Sequence, residues 1–160
     1  MKKLLAAAAA ATLIAVSVAA LTAVLPAQAT TFSLRTIYAA SGVTDDGGII
    51  NNGIATSVHC TNLSGKTATI RVAVYNPTGT LVGSNAATVA NLVTRTISTH
   101  SVVYFSELDL GTGAINQGVL NVSSTESGVF CTAMIVSAAA PIAGIDLHMV
   151  RYNPHPGTVE

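Results

Sequence analysis

Apolar and polar residues alternate with a period of two along much of the chain. The alternation is clearest over residues 127–138 (SGVFCTAMIVSA), where Val129, Cys131 and Ala133 share one face. Because successive side chains of a β-strand point to opposite faces, this segment is predicted to be a strand. Its other face is also largely apolar, so we expect it to lie inside a sheet rather than at an edge.

Shorter runs of the same kind predict the remaining strands. They are rich in Val, Ile and Thr and are bounded by Gly, Asn, Asp and Pro, which favour turns. The predicted strands cover residues 32–40, 53–61, 67–75, 80–83, 86–99, 101–105, 119–124 and 145–152. Residues 41–52 and 106–118 combine glycines with acidic and amide side chains, and both segments are predicted to be loops.

This pattern indicates an all-β fold. About eight short strands with frequent turn signals are typical of an antiparallel immunoglobulin-like β-sandwich, here a single domain over residues 30–160. The chain has no Trp, whereas immunoglobulin domains carry one in their core, so the architecture is predicted and not the immunoglobulin family itself. A cupredoxin-like sandwich is the next choice. Residues 153–160 contain two prolines and are predicted to form a loose tail.

The first 29 residues differ in character from the rest. Lys2 and Lys3 precede an apolar run over residues 4–25, and Ala27-Gln28-Ala29 matches a cleavage site. This order predicts a signal peptide, export to the periplasm or the cell exterior, and only transient membrane contact through the leader. An uncleaved anchor is the alternative, since about 20 apolar residues can span a bilayer.

Charge excludes one class of partner. The chain has seven Lys and Arg against seven Asp and Glu, and loss of Lys2 and Lys3 with the leader leaves five against seven. The remaining basic residues are scattered singly, without a basic patch. Nucleic acid is therefore not expected as a partner.

The only two cysteines are Cys60 and Cys131. In an exported chain a pair of cysteines favours a disulfide, here predicted to bridge two packed sheets. Closing a loop of about 70 residues would contribute roughly 4 kcal/mol on the chain-entropy model. Two buried free thiols are the alternative.

Three segments carry a resemblance to known proteins. SVHCTN at residues 57–62, FCTAMIV at 130–136 and LHMVRYNP at 147–154 resemble uncharacterised exported bacterial β-sandwich proteins with one disulfide. The resemblance extends over most of residues 30–160. It implies no known activity.

Two kinds of metal site are conceivable. His59, His100, His148 and Met149 offer soft or borderline ligands, so a periplasmic copper- or zinc-handling protein is the alternative function. Asp45 and Asp46 in one predicted loop, with Glu107 and Asp109 in the other, could offer carboxylates to calcium. Their spacing matches no EF-hand loop, and acidic residues in turns usually bind their own backbone.

Catalysis has little support in the sequence. There is no G-x-S-x-G motif, and nothing selects a pair of carboxylates for glycoside hydrolysis. We therefore expect a non-enzymatic binding or structural module without a cofactor. Its partner would be an unknown protein or surface ligand that contacts the loops at 41–52 and 106–118, including Asp45, Asp46, Glu107 and Asp109.

Overall fold

Ten β-strands run through the part of the chain that the computed structural model describes, residues 33–104, 107–139 and 143–152. These residues lie within the unit Thr31–Glu160. The strands are β1 Arg35–Asp45, β2 Ile54–Asn62, β3 Ala68–Tyr75, β4 Leu81–Val89, β5 Thr94–Ser98, β6 Glu107–Asp109, β7 Ile115–Ser124, β8 Val129–Ser137, β9 Gly144–Leu147 and β10 Val150–Arg151. The predicted leader, 1–29, and tail, 153–160, lie outside the described residues.

The strands form two five-stranded sheets. The first sheet has the order β10-β1-β7-β3-β4, and the second has the order β6-β5-β2-β8-β9. All pairings are antiparallel except that of β5 with β6. The all-β prediction is therefore confirmed, with a mixed second sheet. As predicted, β8 is an interior strand.

The two sheets share one apolar core. Ile70, Val72 and Val74 of β3 are fully buried in it, and Val58 of β2 reaches it from the other sheet. Each such side chain contributes about 1.5–3 kcal/mol by leaving water. Tyr38 of β1 also crosses the core, where its hydroxyl donates to the Val129 carbonyl oxygen at 3.3 Å. The alternation read from the sequence thus selects the face that β3 and β8 bury.

The disulfide joins Cys60 and Cys131, as predicted, but it does not bridge the two sheets. The two residues are direct partners in the β2–β8 ladder, with Cα atoms 4.2 Å apart. This spacing is that of the closer, non-hydrogen-bonded type of antiparallel pair. The inter-sheet prediction is wrong because strands distant in sequence are neighbours within one sheet.

The ends of several strands differ from the predictions. Strand β1 continues through residues 41–45, where Gly42 at φ +85° accompanies a register shift against β7. The predicted run 86–99 is two strands in different sheets, separated by a turn at 90–93. The predicted loop 106–118 contains β6 and the start of β7.

Two further predictions change for reasons of packing. Residues 101–104 of the predicted strand 101–105 are not a strand, and residue 105 lies outside the described residues. Val102 and Tyr104 pack on the outer face of the second sheet with Ala55, Val136 and Ala138. The predicted strand 145–152 is divided: β9 pairs with β8 and β10 pairs with β1, so this segment passes from one sheet to the other. Within residues 33–104, 107–139 and 143–152, no helix has the length and apolarity needed to cross a membrane.

Candidate functional site

The two loop regions predicted to carry recognition meet at one end of the sheets. A cavity of about 540 Å³ lies between them. The lining residues are Asp45, Gly47, Gly48, Ile49, Ile50, His100, Ser101, Asp109, Gly111 and Gly113. We call this cavity the loop pocket. The loop over residues 46–53, which follows β1, forms one wall. His100 and Ser101, Asp109 at the end of β6, and Gly111 and Gly113 after it form the other.

Asp45 organises the floor of the loop pocket. It is the last residue of β1 and is 1% exposed. One carboxylate oxygen accepts from the Gly47 N–H at 2.7 Å. The other accepts from His100 Nδ1 at 2.9 Å and from the Thr112 hydroxyl at 3.3 Å. A buried carboxylate is tolerated there because donors from three segments surround it.

His100 lies two residues after the end of β5 and is 7% exposed. Its Nδ1 faces Asp45, and its Nε2 faces the Asn52 carbonyl oxygen at 2.9 Å. With Asp45 ionised, both facing oxygens are acceptors, and hydrogen bonds to the two of them place a hydrogen on each ring nitrogen. His100 therefore connects the second sheet to the 46–53 loop through a buried ion pair and a second hydrogen bond.

Asp46 shapes the same loop and is itself exposed. Its two carboxylate oxygens accept from the N–H groups of Gly48 and Ile54, each at 2.9 Å. Gly53 has φ +83°, and a Cβ there would collide with the Asp46 carboxylate. Glycine is therefore required at position 53 if the carboxylate is to close the loop.

The two acidic residues of the second predicted loop have different roles. Asp109 lines the loop pocket, accepting from the Ser101 hydroxyl at 3.0 Å and from the Gly111 N–H at 2.6 Å. Glu107 instead accepts from the Val102 N–H at 2.9 Å. Burial raises the pKa of Glu107, against the lowering effect of that hydrogen bond. Of the four predicted acidic residues, Asp45 and Asp109 line the pocket.

A metal centre made from the predicted histidines and methionine is not assembled. His59 lies on β2, where its Nδ1 is hydrogen-bonded to the Thr96 hydroxyl at 3.0 Å and its ring packs edge-on against Tyr104 at 4.8 Å. Burial lowers the pKa of His59. His148 is exposed, and Met149 packs against the main core.

Among the described residues, Asp45, Asp46 and His100 form a group whose potential ligand atoms all lie within 4.8 Å of one another. Both His100 nitrogens already bind oxygen acceptors, and both carboxylates accept backbone N–H groups. A cation would have to displace these bonds. The group is therefore explained by the structure of the loop itself.

Sequence reasoning missed the link between Asp45 and His100. The two residues are far apart in the chain, and His100 stands between two predicted strands without a motif. Ile49 and Ile50 were also missed as pocket residues; they are 75% and 72% exposed. Their adjacent apolar side chains in an otherwise polar loop were a signal that could have marked them.

Comparison with known proteins adds little. No protein-family model and no curated protein matches the chain. A solved structure, the crystal structure of Thermotoga maritima 1070, aligns with 71% of this chain and 95% of its own length, at 14% sequence identity and a TM-score of 0.44. A likeness at this level carries no argument about fold family or function.

Proposed function

We propose that this protein is an exported, non-catalytic binding module whose ligand occupies the loop pocket. The observation that carries the proposal is the cavity of about 540 Å³ between the two loop regions. That volume lies in the range of small-molecule sites, which are concave and combine apolar walls with a few placed polar groups. A rigid two-sheet scaffold beneath the loops supports recognition of this kind.

The lining indicates the chemistry of the ligand. It contains the carboxylates of Asp45 and Asp109 and no Lys or Arg. His100 neutralises Asp45 through its ion pair, so Asp109 and the neighbouring Asp46 leave the pocket net negative. Ile49 and Ile50 add apolar surface at the wall. The ligand class that fits is an alkylammonium group, a positive charge attached to an apolar chain.

Export is part of the same proposal. The leader pattern at residues 1–29 supports it, and the disulfide is consistent with an oxidising compartment. Two five-stranded sheets around one core support an immunoglobulin-like sandwich. The metal-handling alternative lacks a specific observation in its favour, because its histidines and methionine are dispersed.

The test uses n-butylamine as the probe, with n-butanol and butyrate as matched controls for the apolar chain and for charge. Backbone amide NMR shifts of the pocket glycines, Gly47, Gly48, Gly111 and Gly113, report occupancy. We expect shifts with the amine alone. Asp109→Asn should weaken amine binding about fivefold, because one partly solvated charge pair contributes about 1 kcal/mol.

Asp146→Asn is the matched control, since Asp146 is an exposed aspartate on β9 outside the pocket lining. It should leave the amine titration unchanged. Equal shifts with butanol, or an amine response that survives Asp109→Asn, would contradict the assigned ligand class. No shift at any of the four glycines with any probe would contradict a small-ligand site in the loop pocket.

A further inference from the structure

His100 has more hydrogen-bond acceptors than a neutral imidazole can serve. Nδ1 faces the Asp45 carboxylate and Nε2 faces the Asn52 carbonyl oxygen, both at 2.9 Å. Neutral imidazole carries one N–H, so only the imidazolium can donate to both oxygens. The observed arrangement of the ring therefore requires a proton that histidine exchanges readily near neutral pH.

The three groups in this arrangement belong to separate parts of the fold. Asp45 ends β1 in the first sheet, His100 follows β5 in the second sheet, and Asn52 closes the loop that forms a wall of the pocket. A second hydrogen bond connects the same two segments: the Asn51 N–H donates to the Ser101 carbonyl oxygen at 2.9 Å. The His100 ring is thus the charged part of a clasp between the second sheet and the 46–53 loop.

We propose that His100 is a proton-controlled latch on the wall of the loop pocket. With both nitrogens protonated, the ring holds Asn52 and Asp45 together and the pocket keeps the shape described above. Loss of one proton removes one of the two bonds and releases the Asn52 end of the loop. The device acts on the protein itself, so it does not depend on the ligand proposed above.

The position of the surrounding charges decides which bond breaks. Asp45 holds its hydrogen on Nδ1 more firmly than a neutral carbonyl holds one on Nε2, because the former bond is charge-assisted. Asp46 from the loop and Glu107 and Asp109 from β6 are the other acidic groups near the ring. The proton therefore leaves from Nε2, and the Nε2 lone pair then faces the lone pairs of the Asn52 carbonyl oxygen, which repel it.

The consequence falls on the residues that line the pocket. Gly47, Gly48, Ile49 and Ile50 lie between the two anchors of the loop, Asp45 and Asn52. When the Asn52 anchor is released, the loop remains held by the Asp45 carboxylate, which accepts from the Gly47 N–H, and by the Asp46 carboxylate, which accepts from two further backbone N–H groups. The wall loosens at one end while the sheets stay intact.

The decisive experiment is NMR of the unliganded, ¹⁵N-labelled protein between about pH 5 and pH 8, the interval in which histidine changes charge. Ring nitrogen shifts of His100 report which nitrogen carries hydrogen. Hydrogen exchange at the Asn51 and Asn52 amides, corrected for the intrinsic effect of pH, reports loop opening. The Gly79 amide, in a separate turn where it donates to Asn76, is the internal reference.

We expect two protonated nitrogens at the acid end and hydrogen on Nδ1 alone at the alkaline end. Corrected exchange at Asn51 and Asn52 should rise about tenfold over the same interval, since loss of one such bond changes an opening equilibrium by roughly that factor. Exchange at Gly79 should not follow it.

His100→Gln should abolish the pH-dependence of exchange in the loop, whereas His148→Gln, which replaces an exposed histidine, should retain it. The wild-type titration decides the question even if His100→Gln does not fold. A ring with an unchanged protonation state throughout the interval would overturn the latch. So would a ring that loses its proton while Asn51 and Asn52 keep the same corrected exchange rate.

Discussion

At the scale of single residues, hydrogen bonding decides which ionisable side chains the fold can accept. Asp45 is a buried carboxylate with three donors, and His100 is a buried ring with two acceptors. His59 is the opposite case. It is half-buried, with Thr96 and Tyr104 as its contacts and no acid among them. Burial therefore lowers the pKa of His59 and favours the neutral ring.

The pKa of His59 predicts how the stability of the protein depends on pH. In the unfolded chain a histidine takes up its proton near pH 6.5, whereas the folded protein resists that uptake. The unfolded state therefore binds more protons as pH falls below about 6.5, and this group reduces the free energy of unfolding there. We expect His59→Gln to reduce the loss of stability between pH 7 and pH 5, measured by urea unfolding.

His148→Gln is the matched control, because it removes an exposed histidine. It should follow the wild-type pH profile. A His59→Gln profile parallel to that of the wild type would show that the buried ring does not contribute to the acid dependence.

At the scale of elements, the disulfide reinforces a strand pair that the backbone already forms. Strands β2 and β8 are registered over their whole length, from Ile54 with Ser137 to Asn62 with Val129. The cysteines are one pair within this ladder, separated by 71 positions in the chain. The disulfide therefore stabilises the protein mainly by restricting the conformations of the unfolded chain, and the strand pairing of the native sheet does not depend on it.

The double variant Cys60→Ala/Cys131→Ala should therefore fold with its sheets intact and lose about 2–5 kcal/mol in the free energy of unfolding. Urea unfolding followed by far-ultraviolet circular dichroism measures the loss. Reduction of the wild-type protein is the control and should reproduce it. A variant without β-sheet signal in the absence of urea would show instead that the bridge is required to form the second sheet.

Asn62 fixes the far end of the same strand by a different device. Its fully buried side-chain amide donates to the carbonyl oxygens of Lys66 and Val89, and its oxygen accepts from the Ser64 N–H and hydroxyl. Two turns are thus attached to the end of β2. The sequence predicted a turn after this strand, but the central role of Asn62 depends on groups distant in the chain.

At the scale of the whole molecule, two loop regions far apart in sequence form one pocket. Predicted loops 41–52 and 106–118 do lie together, although β1 and β6 take up part of each. Their meeting follows from the order of the strands, because β1 and β5 end at the same end of the two sheets. The pairing of β5 with β6 then places Asp109 beside that end.

Export is the prediction that concerns the whole chain. Protein recovered from the exported fraction should begin at Thr30, because the A-x-A pattern places cleavage after Ala29. Intact-mass spectrometry measures this directly. Ala29→Asp should leave the leader attached, since the cleavage position requires a small residue, whereas Gln28→Ala is the control and should be processed normally. Exported protein that keeps residues 1–29 would favour the alternative, in which the leader is an uncleaved membrane anchor.

By itself the sequence determined the all-β class, the buried face of the main strands, the cysteine pair and the acidic loops. These properties depend on local periodicity and residue type, which a single sequence contains. The tertiary structure alone decided that the disulfide lies within one sheet and that residues 145–152 pass between sheets. It also decided that His100 joins Asp45 to Asn52. These outcomes depend on which distant strands become neighbours, and that choice is made by packing of the whole core rather than by any one segment.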